Sequence, residues 1–232
     1  MKKVSIIIPI YKPDKRILIK LINYLNKNKK RGCEIIKIDG RGGTANAFNR
    51  GIKHSKGEIV LIVHQDCIPK EKDFIKKMIK PFEDKEVVIA TAKIKDYDTG
   101  KEYYPFPPDV KATAYRRSAL NKVGGFDSKT YFTGGEDVDI WLKLMRFGKL
   151  ANVNTTVEHI HPNYFGNKTI EKRRQNGSIN GCLFRIWGVK NPFWWKPLIM
   201  CCIYPFDYGR EFCKAFLTKK QSYRRKDEVP SL

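Results

Sequence analysis

The chain has 232 residues, 41% hydrophobic and 12% aromatic; it exceeds one typical domain and falls short of two, which predicts one elaborated α/β unit with a sizeable core. Its 30% charged residues are interspersed with apolar runs, which excludes general disorder. Forty-six Lys and Arg against 24 Asp and Glu leave a net charge of +22, which predicts attraction to nucleic acid, an acidic membrane surface or a phosphorylated substrate without choosing among them.

In chain order, Val4 to Ile10 reads as a first buried strand rather than a secretory leader: the apolar run is brief, Pro9 and Pro13 interrupt it, and no small-residue cleavage site follows. Asp14 is placed to cap a helix in which Ile17, Leu18, Leu21, Ile22 and Leu25 recur at helical spacing. Further β-branched runs at Glu34 to Asp39, Glu58 to His64 and Val87 to Ala92 alternate with helical patterns at Thr44 to His54 and Glu71 to Phe82. Strand, helix, strand in that order predicts parallel strands that bind ligand beyond their carboxyl ends, here Tyr11, Asp39 and His64-Gln65-Asp66.

A Tyr, Pro and Gly-rich loop occupies Asp96 to Pro108, and a pattern resumes at Lys111 to Arg117. Glu136 and Asp137 follow a double glycine and open a helix whose inner stripe is Val138, Trp141, Leu142 and Met145, stopping near Gly148. Thr155 to Val157 reads as a strand that projects His159 and His161 to one side. After that come a basic helical candidate, Lys168 to Trp187, an aromatic and apolar stretch, Pro192 to Phe206, and a charge run, Lys219 to Lys226. The apolar stretch is broken by Lys196 and prolines and is shorter than a membrane span, so no transmembrane segment is predicted. Six scattered cysteines without a CxxC pair indicate neither a zinc cage nor a disulfide scaffold, and read as free thiols in a reducing, cytoplasmic compartment.

The chemistry-bearing residues each carry two readings. Asp66, at the end of an apolar strand, can hold a divalent cation against a diphosphate, or can cap the turn Cys67-Ile68-Pro69. Asp39 before Gly40-Arg41-Gly42-Gly43 can accept hydrogen bonds from a nucleobase or ribose, or belong to an ordinary Asp-Gly turn. Glu136 and Asp137 can supply a general base, or simply cap their helix; the helix dipole would keep the carboxylate ionised and lower its basicity, so that catalysis needs desolvation by the substrate. His159 and His161 can be metal ligands or structural histidines.

Together these segments resemble family 2 glycosyltransferases of the GT-A fold over about residues 3 to 165. The resemblance is carried by Val4 to Tyr11, Glu34 to Asp39, Arg41 to Ile52, Gly57 to Asp66, Val123-Gly124-Gly125-Phe126-Asp127 and Gly134-Gly135-Glu136-Asp137-Val138-Asp139. It implies an α/β GT-A fold with a mostly parallel central sheet flanked by helices. The catalytic domain would span 1–165, with a nucleotide-binding half at 1–100 and an acceptor half at 101–165, followed by a basic, aromatic, helical extension at 166–232. It further implies inverting, metal-assisted transfer from a UDP-, GDP- or dTDP-sugar to a glycan or polyprenyl-phosphate-linked acceptor. Pro9, Tyr11, Asp39, Arg41, Gln65 and Asp66 would face the nucleotide, Asp66 and His159, with His161 as rival, would hold Mn2+ or Mg2+, and Asp137 beside Glu136 would be the catalytic base. His64 stands where the family's first DxD acid is expected, leaving Asp66 as that element's only carboxylate. The aromatic and basic tail adds the expectation of a peripheral enzyme on the cytoplasmic membrane face. A basic nucleic-acid-binding protein and a catalytically silent nucleotide-sugar-binding module are the alternatives; the first leaves the strand-end acids unexplained.

Overall fold

In a computed structural model that describes residues 3–132, 134–160, 170–191 and 193–222, the chain forms one sheet wrapped by helices. Its strands are β1 (Val4–Ile10), β2 (Cys33–Asp39), β3 (Ile59–Val63), β4 (Cys67–Pro69), β5 (Val87–Asp96), β6 (Glu102–Tyr103), β7 (Ala112–Arg116) and β8 (Lys149–His159). The helices are α1 (Lys15–Asn28), α2 (Thr44–His54), α3 (Phe74–Ile79), α4 (Arg117–Lys122), α5 (Glu136–Leu144), α6 (Ile170–Trp187), α7 (Trp195–Ile203) and α8 (Arg210–Thr218). Strand order is β2-β1-β3-β7-β5-β8-β4, with β6 on β5. β1, β2, β3, β5 and β8 share one direction, while β4, β6 and β7 run against them, so the sheet is mostly parallel, as expected.

The alternation along the central strands explains the layering. Val4, Ile6, Ile8, Leu61 and Val63 face one side, where Leu21 and Leu25 of α1 and Phe74, Ile75 and Met78 of α3 cover them. Ile7, Val60 and Ile62 face the other, against Ala45, Phe48 and Ile52 of α2 and Ile140, Trp141 and Leu144 of α5. A strand buried on both faces has no polar alternation, which is why all five residues of β3 are apolar and buried. Each such side chain contributes about 1.5–3 kcal/mol on leaving water.

Asp14 caps α1 as expected, its carboxylate accepting from the Arg16 and Ile17 N–H groups at 2.8 and 3.3 Å. Three expectations change. The helix read at Glu71 to Phe82 is shorter, Phe74–Ile79, and passes into a 3-10 turn, Lys80–Glu83, at Pro81, which has no N–H to extend it. α5 ends at Leu144 rather than near Gly148, because Lys149 already pairs with Val87 as β8 begins. Cys67-Ile68-Pro69 is a strand, not a turn: it pairs antiparallel with the end of β8, setting Cys67 opposite His159. His161, Lys168 and the Arg224-Arg225-Lys226 cluster lie outside the described residues.

The C-terminal helices are joined to the sheet domain. Ile179, Cys182 and Leu183 of α6 and Ala215 of α8 form a small core with Tyr131 and Val138. Gln221 accepts from the Phe132 N–H at 2.8 Å and donates its own N–H to the Thr130 carbonyl at 3.1 Å.

Candidate functional site

A cleft of about 650 Å3 opens over the carboxyl ends of the parallel strands. Pro9, Tyr11, Arg41, Gln65, Asp66, Glu136, Asp137 and His159 all line it, which brings eight of the sequence-predicted site residues together. Asp66 and Asp137, far apart in sequence, meet at this one cavity. Asp39 stands one step back. Its carboxylate accepts from the Arg41 backbone N–H at 2.9 Å and from Arg41 Nε at 2.6 Å, which holds it below the usual carboxylate range and fixes Arg41 at the rim.

The local chain explains each wall. Gly43 has φ +96° at the start of α2, and a Cβ there would lie 2.4 Å from the Phe132 carbonyl oxygen; only glycine lets the 39–43 loop close on the 130–135 loop. Thr44 N–H then donates to that carbonyl at 3.1 Å. Gly135, φ +89°, caps α5 and lies against Tyr131 and Ile179 of α6. The N-termini of α2 and α5 therefore both border the cleft, and their dipoles favour an anion between them.

Gln65 is engaged with the protein itself. Its Oε1 accepts from Tyr11 N–H at 2.9 Å and its Nε2 donates to Tyr11 O at 2.8 Å, so the side chain sets the end of β1. His64, in place of an acid, lies with its ring centroid 6.0 Å from that of Phe48, and its buried Nε2 has no partner among the described residues. Burial drives its pKa down to about 4, so the imidazole is neutral.

The carboxyl pair on α5 behaves differently from the sequence expectation. Burial comes first and the Asp137 charge second in pushing Glu136 up to about 8, while a hydrogen bond from Thr44 opposes them. Burial also raises Asp137, against the Val138 N–H that donates to its Oδ1 at 2.9 Å. Desolvation by the fold itself thus outweighs the helix dipole, and the basicity expected only on substrate binding is built in beforehand.

Beside this pair, the β4–β8 pairing and an Ile160 N–H donating to Asp66 O at 2.9 Å assemble Asp66, Cys67 and His159, whose ligand atoms lie within 4.8 Å of one another. His159 Nε2 is 3.5 Å from Asp66 Oδ2. A carboxylate oxygen with an imidazole nitrogen suits a divalent cation such as Mn2+; the soft, buried Cys67 sulfur is not a ligand for hard cations.

Sequence reasoning missed several lining residues. Asp96 ends β5, which runs four residues past the expected Ala92, so the strand-end logic of Asp39 and Asp66 reaches it only once that extension is known. Asp109 and Lys111, ion-paired at 2.6 Å, lie between the Pro-rich loop and β7, where the sequence offered no such signal. Lys172 arrives from α6 in the C-terminal extension. The cleft thus holds five carboxyl groups, Asp66, Asp96, Asp109, Glu136 and Asp137, against Arg41, Lys111 and Lys172, so acids outnumber bases there on a chain of net charge +22.

This architecture is that of GT-A glycosyltransferases. Similar solved structures include a mannosyltransferase from Pyrobaculum calidifontis in complex with GDP-Man and Mn2+, at 14% identity and TM-score 0.66, covering 97% of this chain and 77% of that one. GalNAc-T7 with UDP, GalNAc and Mn2+ follows at 12% identity and TM-score 0.58, covering 80% of this chain and 50% of that one. TarS 1–349 of S. aureus has 17% identity and TM-score 0.54, covering 77% and 65%. At these identities the likeness is one of fold. Residues 15–206 match the model of Glycosyl transferase family 2, and the chain belongs to that family. The match runs past residue 165, through α6 and α7. No curated protein matches the chain.

Proposed function

We propose that the cleft transfers a sugar, with inversion, from a nucleoside diphosphate donor to an acceptor hydroxyl. The observation that carries this reading is the shared cleft: an acid beside an imidazole on one wall, and a carboxyl made more basic by burial on the other. Asp137 accepts the acceptor's proton as its oxygen attacks the anomeric carbon, and the bond to the diphosphate breaks on the opposite face. Glu136, more deeply buried and pushed up to about 8, stays protonated at neutral pH and holds Asp137 in a poorly solvated setting. Arg41, fixed by Asp39, and the α2 N-terminus face the nucleotide's phosphates.

Asp66 and His159 would hold Mn2+ in preference to Mg2+, which takes oxygen ligands. Bound there, the ion would supply the positive charge that a diphosphate needs to enter a cleft rich in carboxyl groups and to leave as an anion. Residues 1–165 supply this chemistry and 166–232 a supporting extension; a cytoplasmic setting fits the free cysteines.

The test is nucleotide-sugar turnover with Mn2+ for wild type, Asp137→Asn and Asp66→Ala. Asp137→Asn should lower turnover about 10²–10⁴-fold while leaving nucleoside diphosphate binding intact. Asp66→Ala should lose metal-dependent nucleotide binding. Turnover that survives Asp137→Asn overturns the base assignment.

A further inference from the structure

The last helices carry an apolar surface that the described fold leaves uncovered. Of the nine residues of α7, only Pro197 is buried. Trp195, Ile199 and Ile203, four residues apart on one helical face, are 46%, 49% and 57% exposed, and Phe206 in the following π-turn is 85% exposed. Nine residues rise about 14 Å, far less than a bilayer core. Among the described residues no helix is long and apolar enough to cross a membrane.

The charge around this face is mostly basic, with Asp207 in the turn that carries Phe206 held by Arg173 at 2.8 Å. Residues 172–206 contain six Lys and Arg and no Asp or Glu. Lys196 Nζ lies 4.3 Å from the Phe193 ring centroid and 5.6 Å from that of Trp195, so a cation sits level with the rings that would insert. Amphipathic rings with cations at their polar edge match the headgroup layer of an anionic bilayer, where rings meet glycerol and acyl carbon and ammonium meets phosphate.

The surface is linked to the cleft through a chain of side-chain contacts. Phe193 packs edge-on against Phe106 at 5.9 Å, and Phe106 against Trp141 of α5, the helix bearing Asp137, at 5.2 Å. Lys172 lines the cleft, and the adjacent Arg173 binds Asp207 at 2.8 Å and lies 4.8 Å over Tyr204, tying the turn that carries Phe206 to the cleft wall. A second copy fits this face poorly, since a two-fold contact would set the same cations against each other. Nucleic acid would leave Ile199, Ile203 and Leu198 without a partner.

We propose that α7 and the Phe206 turn dock the enzyme on an anionic lipid bilayer, so that the cleft receives an acceptor carried by a membrane lipid. The identity of the acceptor rests on the glycosyl-transfer reading; the docking does not. The test is co-sedimentation of the full chain with vesicles of phosphatidylcholine alone or mixed with phosphatidylglycerol, at low and high salt, for wild type, Ile203→Ser/Phe206→Ser and Lys190→Glu/Lys196→Glu. All four positions are exposed, so folding should survive, and circular dichroism checks it.

Wild type should bind only the phosphatidylglycerol vesicles, with the partition coefficient falling about tenfold or more in each double variant and in high salt. Binding of Ile203→Ser/Phe206→Ser as tight as wild type would overturn the proposal, because attraction would then be charge alone. So would a dimer that this variant dissociates while vesicle binding stays absent, or single-stranded RNA binding that it weakens in place of vesicle binding. Turnover of a water-soluble acceptor without vesicle binding refutes the docking and spares the transferase; vesicle binding without any nucleotide-sugar turnover does the reverse.

Discussion

Replacing Trp187 by Phe removes a single N–H from a buried carboxylate that shares a helix with Asp137. Asp139 is fully buried, and its charge is met by Trp187 Nε1 at 2.9 Å and Lys143 Nζ at 2.6 Å. A hydrogen bond to a charged group contributes about 1.5–3 kcal/mol. The indole is only half-buried, so little apolar area is lost with it. The variant should therefore be about 2 kcal/mol less stable, which for a chain of this size is a fall in Tm of about 4–8 °C. Urea unfolding followed by far-UV circular dichroism measures it, together with Asp139→Asn and the double variant. The two changes should be coupled, with the double variant losing less than the sum of the singles. Additivity within about 0.5 kcal/mol would mean that the indole does nothing for Asp139, and would refute the stabilising role given to this hydrogen bond.

Two further outcomes follow from the cleft. Glu136 has a folded pKa of about 8 against an ordinary value of 4.5, so between those values the unfolded chain has released a proton that the folded chain keeps. The neutral form's stabilising effect is complete below pH 4.5 and is lost as pH rises through 8. Glu136→Gln should flatten this decline and exceed wild type in stability at high pH, as urea titrations across the range will show; an unchanged slope contradicts the assignment. Gly43→Ala places a Cβ against the Phe132 carbonyl at a positive φ and should cost about 1–3 kcal/mol while weakening nucleotide binding, checked by unfolding and by calorimetry.

β1 and β3 were legible because strands buried on both faces demand unbroken apolar runs, and Val4–Ile10 and Ile59–Val63 supply them. Asp14 and the start of α2 at Thr44 were legible for local reasons, a cap and a helical stripe. The reversed strand β7, inserted between β3 and β5, depends on long-range pairing and leaves no local mark. The same holds for His159, whose nearness to Asp66 comes from the three-residue β4 pairing with β8. The expected depression of Asp137 failed because the helix dipole is a local property, whereas burial is set by the whole fold. The extension appeared separate in sequence, yet Trp187 and Gln221 reach α5 and the 130–132 segment, contacts that residue composition cannot reveal.

The most direct measurement is a crystal structure of the full chain grown with Mn2+ and a nucleoside diphosphate. The cation should sit between Asp66 and His159, with the terminal phosphate between it and the start of α5, leaving room for a sugar before Asp137. A nucleotide bound outside this cleft, or a metal held by neither Asp66 nor His159, would contradict the account.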